Sequence, residues 1–256
     1  MAVARPLAPA TPPPAPPLLA VHGLTKRYGD LAALSAADFS LRDGEILGLI
    51  GPNGSGKTTL FQCVAGTMPA TSGTVAVRGQ AIAPEARKDV LFYVPDGIAP
   101  WPDQTVAWSI DFVRRLGGVA AVRRDEVVAA LGLEPLLGAR MRTLSKGEHR
   151  RAVLALGLLA RQPVLMLDEP FDGLDLRQTR EVMAVLRRHV SVDGRTLLLS
   201  VHQLGDAARI CDRLVLLSGG RVVAEGTLAE LRALAGHGDD DASDAEALEE
   251  VFLALT

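Results

Sequence analysis

Cysteine is nearly absent from this chain: Cys63 and Cys211 are the two it has in 256 residues, far apart and without a C-x-x-C spacing. That excludes a disulfide framework and a cysteine zinc site. Both read as small apolar packing groups suited to a reducing compartment. A basic surplus is missing too, since 27 Lys and Arg against 30 Asp and Glu leave a formal charge of -3. Without a clustered cationic surface to meet phosphates, no nucleic acid is expected as partner. The longest strongly apolar run, Ala152 to Ala160, is about half of the roughly 20 residues that span a bilayer, so no transmembrane helix is expected. Met1 to Pro17 is crowded with prolines and lacks a continuous apolar stretch. It reads as a disordered or polyproline-like tail over residues 1–17 and not as a signal peptide. No internal repeat is present.

What remains is a hydrophobic content of 48%, enough for one sizeable α/β core with a small lobe attached. Leu19 to Val21, Phe39 to Leu41 and Thr74 to Val77 are short strand-like stretches broken by turn residues, as in an antiparallel sheet. Glu45 to Ile50 predicts a buried strand entering a Gly-rich loop. Val164 to Leu167 and Thr196 to Val201 are almost wholly apolar, as parallel strands covered on both faces tend to be. Between them, Arg177 to His189 has helical spacing, which makes a right-handed crossover. Arg213 to Leu217 and Arg221 to Ala224, joined by Ser-Gly-Gly, predict a closing hairpin. A polar, acidic stretch from Gly236 divides a core over 18–235 from a C-terminal appendage over 236–256, which ends in a short amphipathic helix, Ala245 to Leu255.

Gly51-Pro-Asn-Gly-Ser-Gly-Lys-Thr58 fits the phosphate-loop pattern GxxxxGK[ST] and sits between the predicted strand and a helix, as the chemistry requires. Glycines let backbone N–H groups converge on phosphate oxygens, and the helix N-terminus adds partial positive charge. A chance match is roughly 1 in 100 at ordinary glycine frequencies. The nucleotide-contacting candidates are therefore Gly51, Pro52, Asn53, Gly54, Ser55, Gly56, Lys57, Thr58 and Thr59. Lys57 would reach the β- and γ-phosphates of ATP, and Thr58 would hold Mg2+.

Val164-Leu-Met-Leu-Asp-Glu169 places two carboxylates at the end of a buried strand, pointing in different directions. Asp168 suits the Mg2+ shell, and Glu169 suits a base taking a proton from attacking water. An isolated Asp-Glu pair commonly does no more than cap a helix; following a phosphate loop, it reads as catalytic.

Taken together these motifs resemble the ABC ATPase family, over about Leu18 to Gly226. Thr143-Leu-Ser-Lys-Gly-Glu148 is similar to that family's signature, usually Leu-Ser-Gly-Gly-Gln, about twenty residues before the Asp-Glu strand. Ser145 to Glu148 is equally a capping box, and both readings hold together. Phe171-Asp-Gly-Leu-Asp175 resembles the D-loop, His202 the switch histidine that positions γ-phosphate and water, and Tyr28 the aromatic residue stacking on adenine, although a lone loop aromatic is also often packing. The resemblance implies a P-loop NTPase (RecA-like) core with a mostly parallel sheet, an N-terminal antiparallel β subdomain and a small helical subdomain over about 97–144. It implies catalytic residues Glu169, His202 and Lys57, metal ligands Thr58, Asp168 and Asp96, and a head-to-tail dimer, homomeric or heteromeric. In that dimer Ser145 and Gly147 would complete the neighbour's ATP site.

Two residues depart from the family pattern. Pro95-Asp96 stands where a Gln is usual; Asp96 could bind the metal more directly or merely cap a turn. Lys146 replaces a glycine. The lobe begins with Ile98 to Val106, Pro-rich and carrying Trp101, with Trp108 close behind; either tryptophan could be an exposed contact or core. By resemblance the lobe receives a coupling helix from a separate multi-spanning permease, so the chain is expected on the cytoplasmic face of the membrane as a peripheral subunit. Its short lobe and C-terminal helix resemble ABC-2 type exporter ATPases. The alternative is a soluble ABC ATPase acting in ribosome, DNA or cofactor-assembly work, although there is neither a second cassette nor a heptad run. No guanine-reading Asn-Lys-x-Asp supports a GTPase.

Overall fold

The computed structural model describes residues 15–234 and 244–255. Most of the Pro-rich tail and all of the polar segment from Gly236 to Ser243 lie outside them. The chain opens with β1 (Leu19–Tyr28) and β2 (Leu31–Leu41), then β3 (Ile46–Ile50), α1 (Lys57–Ala65), β4 (Ser72–Val77), β5 (Gln80–Ala81) and β6 (Leu91–Val94). The helical segment holds α2 (Val106–Gly117), α3 (Ala121–Ala130) and the start of α4 (Lys146–Leu158). It is followed by β7 (Val164–Asp168), α5 (Leu176–Ser191), β8 (Thr196–Ser200) and α6 (Leu204–Ile210). The hairpin of β9 (Arg213–Ser218) and β10 (Arg221–Gly226), then α7 (Leu228–Leu234) and α8 (Asp244–Leu255), complete the order.

Two sheets form. The antiparallel one runs β2-β1-β4-β5, and the larger one runs β10-β9-β3-β8-β7-β6, parallel throughout except for its closing β9–β10 hairpin. The all-apolar patterns of β3, β7 and β8 arise because helices cover both faces, and every residue of these three strands is buried. The first two strands are much longer than the three-residue stretches expected of them. β1 continues past Gly23 and Thr25 through register shifts against β2, so bulges carry its polar residues to the solvated face while pairing goes on.

α5 is the crossover helix between β7 and β8. Its face of Val182, Leu186 and Val190 is buried in the core, each such side chain contributing about 2 kcal/mol of burial. On α2, Val106, Ile110 and Val113 are buried, and the helix packs on α4. Its outer face carries Trp108, Phe112 and Leu116, all exposed. Trp101 is partly buried and joins them, with ring centroids 5.7 Å from Trp108 and 5.0 Å from Phe112, while Trp108 and Phe112 stack at 5.1 Å. At the C-terminal end, α8 lies across α6 and α7 with Leu248 and Val251 fully buried.

Candidate active site

The phosphate-loop motif forms a turn from the end of β3 into α1, gripped from two sides. A methyl group on Gly51 would stand 2.3 Å from the Leu217 carbonyl oxygen, and one on Gly56, which has φ 106°, 2.7 Å from that of Ala33. No side chain fits at either position, so the loop backbone is free to face outward. The Ser55 N–H donates to the Pro52 carbonyl over 3.1 Å, and the Ser55 carbonyl accepts the Gly220 N–H at 3.0 Å. Lys57 folds back along the loop, donating to the Gly51 carbonyl at 2.7 Å and that of Pro52 at 3.3 Å. Burial pushes its ammonium pKa down, against the opposing pull of Glu169 and Asp168. The Ser55 hydroxyl is buried with no protein partner. A loop that offers a cation and an orphan hydroxyl and leads into a helix N-terminus has donors that a polyphosphate needs.

The loop opens on a cleft of about 310 Å3 lined by Asn53, Lys57, Thr58, Thr59, Asp96, Glu169 and His202, among others. Asn53 and His202, 149 positions apart, thus meet because β3, β8 and β7 are successive parallel strands whose C-terminal ends share one edge. Glu169 has the left-handed backbone φ of 52°, an uncommon conformation for a side-chain-bearing residue. Its carboxylate comes 3.7 Å from His202 Nε2. Burial raises the Glu169 pKa; His202 and Lys57 oppose that rise, while Asp168 and Asp96 add to it.

Ser200 was not anticipated. Its hydroxyl donates to Asp168 Oδ1 at 2.5 Å and accepts the Glu169 N–H at 2.9 Å, so one side chain orients both members of the acidic pair. Tyr93 adds a 3.4 Å hydrogen bond to Asp168 Oδ2. A signal was available in the sequence: Ser200 is a buried hydroxyl ending an apolar strand, and such groups have partners.

Asp96 lines the cleft, but its carboxylate is ion-paired with Arg150 of α4. Ser145 caps α4, accepting the Glu148 N–H at 3.3 Å while Glu148 Oε2 accepts the Ser145 N–H at 2.8 Å. Gly147 lies against the D-loop, where an added methyl would be 3.0 Å from both the Gly173 carbonyl oxygen and Gln178 Oε1. Neither Ser145 nor Gly147 lines the phosphate cleft. Tyr28, half exposed, is outside it as well; its hydroxyl donates to Met68 Sδ at 2.8 Å, and Lys26 Nζ sits 5.0 Å from its ring centre.

The sequence profile of the ABC transporter family matches residues 34–172. The Nod factor export ATP-binding protein I of Ralstonia nicotianae is 34% identical over 233 residues, which cover 86% of this chain and 71% of that protein. The chain belongs to the ABC transporter ATP-binding family. Another relative in the family, the sn-glycerol-3-phosphate import ATP-binding protein UgpC 1 of Rhizobium johnstonii, is 31% identical, covering 83% of this chain and 59% of its own length. Among solved structures, an ATP-binding subunit of an ABC transporter superposes with a TM-score of 0.80 at 28% identity, over 91% of this chain and 99% of that one. The dimeric ABC transporter cassette MJ0796 has the same fold, with a TM-score of 0.74 at 23% identity over 82% and 98%. As a member of the ABC family, the chain is an ATP-binding, ATP-hydrolysing subunit that drives transport through a separate membrane component.

Proposed function

We propose that the chain powers an ABC exporter, hydrolysing ATP at the cleft between the phosphate loop and the β7–β8 edge. The observation that carries this reading is the convergence of Lys57, Glu169 and His202 on one cleft. Lys57 lies buried along the loop and turns onto the β- and γ-phosphates. Glu169, its carboxylate pKa raised by burial, accepts the proton of the attacking water, and His202 beside it holds the γ-phosphate. Among the described residues no cluster of three or more His, Cys, Asp or Glu is placed to hold a metal. Mg2+ needs only one or two carboxylates when phosphates supply its other oxygens, and Thr58 with Asp168 fits that demand. When bound, the ion neutralises charge on the phosphate oxygens.

Ser145 and Gly147, at the tip of α4 and outside the cleft, fit an anion offered by a second subunit in a head-to-tail dimer. The aromatic group of Trp101, Trp108 and Phe112 supports docking of a multi-spanning permease on the helical segment, since exposed apolar clusters mark interaction surfaces. Such a partner places the chain peripherally on the cytoplasmic side of a membrane. No helix among the described residues is long and apolar enough to cross one. Export is favoured because relatives named for Nod factor export reach 34 to 37% identity, against 31% for the glycerol phosphate importer.

Affinity purification of the tagged chain from detergent-solubilised membranes tests this. A multi-spanning partner that stimulates an ATPase activity abolished in Lys57→Ala is the expected result. Recovery only from the soluble fraction with ribosomes or assembly factors overturns it.

A further inference from the structure

The two departures from the family pattern, Asp96 and Lys146, lie fifty residues apart in sequence and occupy the two ends of one chain of ion pairs. Asp96, in the loop after β6, pairs with Arg150 in the second turn of α4. Arg150 lies 3.7 Å from the carboxylate of Asp172 in the turn after β7, and Asp172 binds Lys146 Nζ at 2.8 Å. The charges alternate along this line: minus, plus, minus, plus. Its first member lines the phosphate cleft, and its last is the first residue of α4, between Ser145 and Gly147.

The two cations differ in freedom. The Arg150 side chain is only 9% exposed and is also anchored by the Asp168 and Asp172 carbonyl oxygens, each at 3.4 Å. It can therefore only shift its weight between two carboxylates that flank it. The Lys146 side chain is 67% exposed, on a stem that crosses Gly173, and among the described residues its charge is paired with Asp172. Asp172 is thus shared, and whatever frees it from one cation draws it to the other.

We propose that Asp96, Arg150, Asp172 and Lys146 form a charge relay joining this subunit's own phosphate cleft to the face that meets a second copy's nucleotide, with Lys146 contacting that nucleotide's γ-phosphate. The proposal rests on the head-to-tail dimer described above. A phosphate that captures Lys146 leaves Asp172 to Arg150; Arg150 then loosens its hold on Asp96, which becomes available in its own cleft. The coupling is reciprocal: neutralising Asp96 lets Arg150 settle on Asp172 and releases Lys146 toward the neighbour. Arg150 acts through its partners and is a positioning residue. A glutamine in place of Asp96, or a glycine in place of Lys146, would break the alternation at that end.

The test is the ATP concentration giving half-maximal dimerisation of the full chain in the hydrolysis-blocked Glu169→Gln background, followed by sedimentation, with fluorescent-ATP binding measured in parallel. Lys146→Met should raise that concentration about tenfold, the worth of one charge-assisted hydrogen bond. Asp96→Asn should lower it severalfold, and should change nothing once Lys146→Met is present. If Asp96→Asn acts equally in both backgrounds, or Lys146→Met dimerises like its parent, the relay is overturned while the ATPase reading stands. A parent that binds ATP yet stays monomeric removes the dimer and the relay with it; one that binds no ATP overturns the proposed function itself.

Discussion

Ser200 and Asp168 face each other as register partners on the parallel strands β8 and β7, and the hydroxyl of one donates to the carboxylate of the other over 2.5 Å. Ser200→Ala removes this bond and leaves the Glu169 N–H without its acceptor. A buried polar group left unsatisfied costs about 1–3 kcal/mol, so turnover should fall about 10- to 100-fold if that cost falls on the geometry of the acidic pair. Ser200→Thr, which keeps the hydroxyl, should recover most of the rate. Steady-state ATPase kinetics beside nucleotide titration will separate the loss in kcat from any loss in binding.

The acid limb of the pH–rate profile should report Glu169. A base must be ionised, and burial together with Asp168 and Asp96 raises its pKa, against His202 and Lys57. Activity is therefore lost at a higher pH than an exposed glutamate would allow. Asp96→Asn removes one raising charge, so the acid limb should move to lower pH; a limb that moves to higher pH, or that persists unchanged in the residual activity of Glu169→Gln, would remove Glu169 as the titrating base.

His189 gives a stability prediction separate from catalysis. It is buried at 3% exposure, with Nδ1 2.9 Å from Asp193 and Arg123 close by. Burial pushes its pKa down to about 4, Asp193 pulling upward and Arg123 and Arg195 adding to the fall. The unfolded chain binds this proton more readily, so stability is complete above the ordinary histidine value and is lost as pH falls toward about 4, by about 3 kcal/mol in total. Urea unfolding of His189→Gln should show a flatter pH dependence over that window than the parent.

Trp108 and Phe112, stacked and exposed on α2, should matter to the membrane partner and little to the fold. The double variant Trp108→Ala/Phe112→Ala should reduce permease recovery about tenfold or more, since aromatic anchors dominate such interfaces. Basal ATPase of the isolated chain should be unchanged. Co-purification in detergent, with thermal melting as the control, measures both.

These predictions divide along what was legible in the primary structure. The phosphate loop, the Asp168-Glu169 strand end and the Ser145 capping box are local: their chemistry and geometry are set by residues within a few positions of one another. Ser200 showed only as a hydroxyl ending an apolar strand, and its role was hidden because it reaches Asp168 through strand pairing 32 positions away. Arg150 escaped notice for the same reason, its partner Asp96 lying 54 positions earlier. The lengths of β1 and β2 were underread because bulges let a strand run on through polar residues. Short helices such as α6 and α7, seven residues each, hold too few turns to show a period.

The seat of α8 on α6 gives the end of the chain an unusual reach. α6 begins two residues after His202, and Gly205 on it faces Ala245 so closely that an added methyl would stand 3.4 Å from the alanine's own. A fused handle, a proteolytic cut or a docked protein that disturbs α8 would disturb α6 with it, and α6 starts from the turn that carries His202. Two preparations differing only in their last dozen residues should then bind ATP alike and hydrolyse it at different rates.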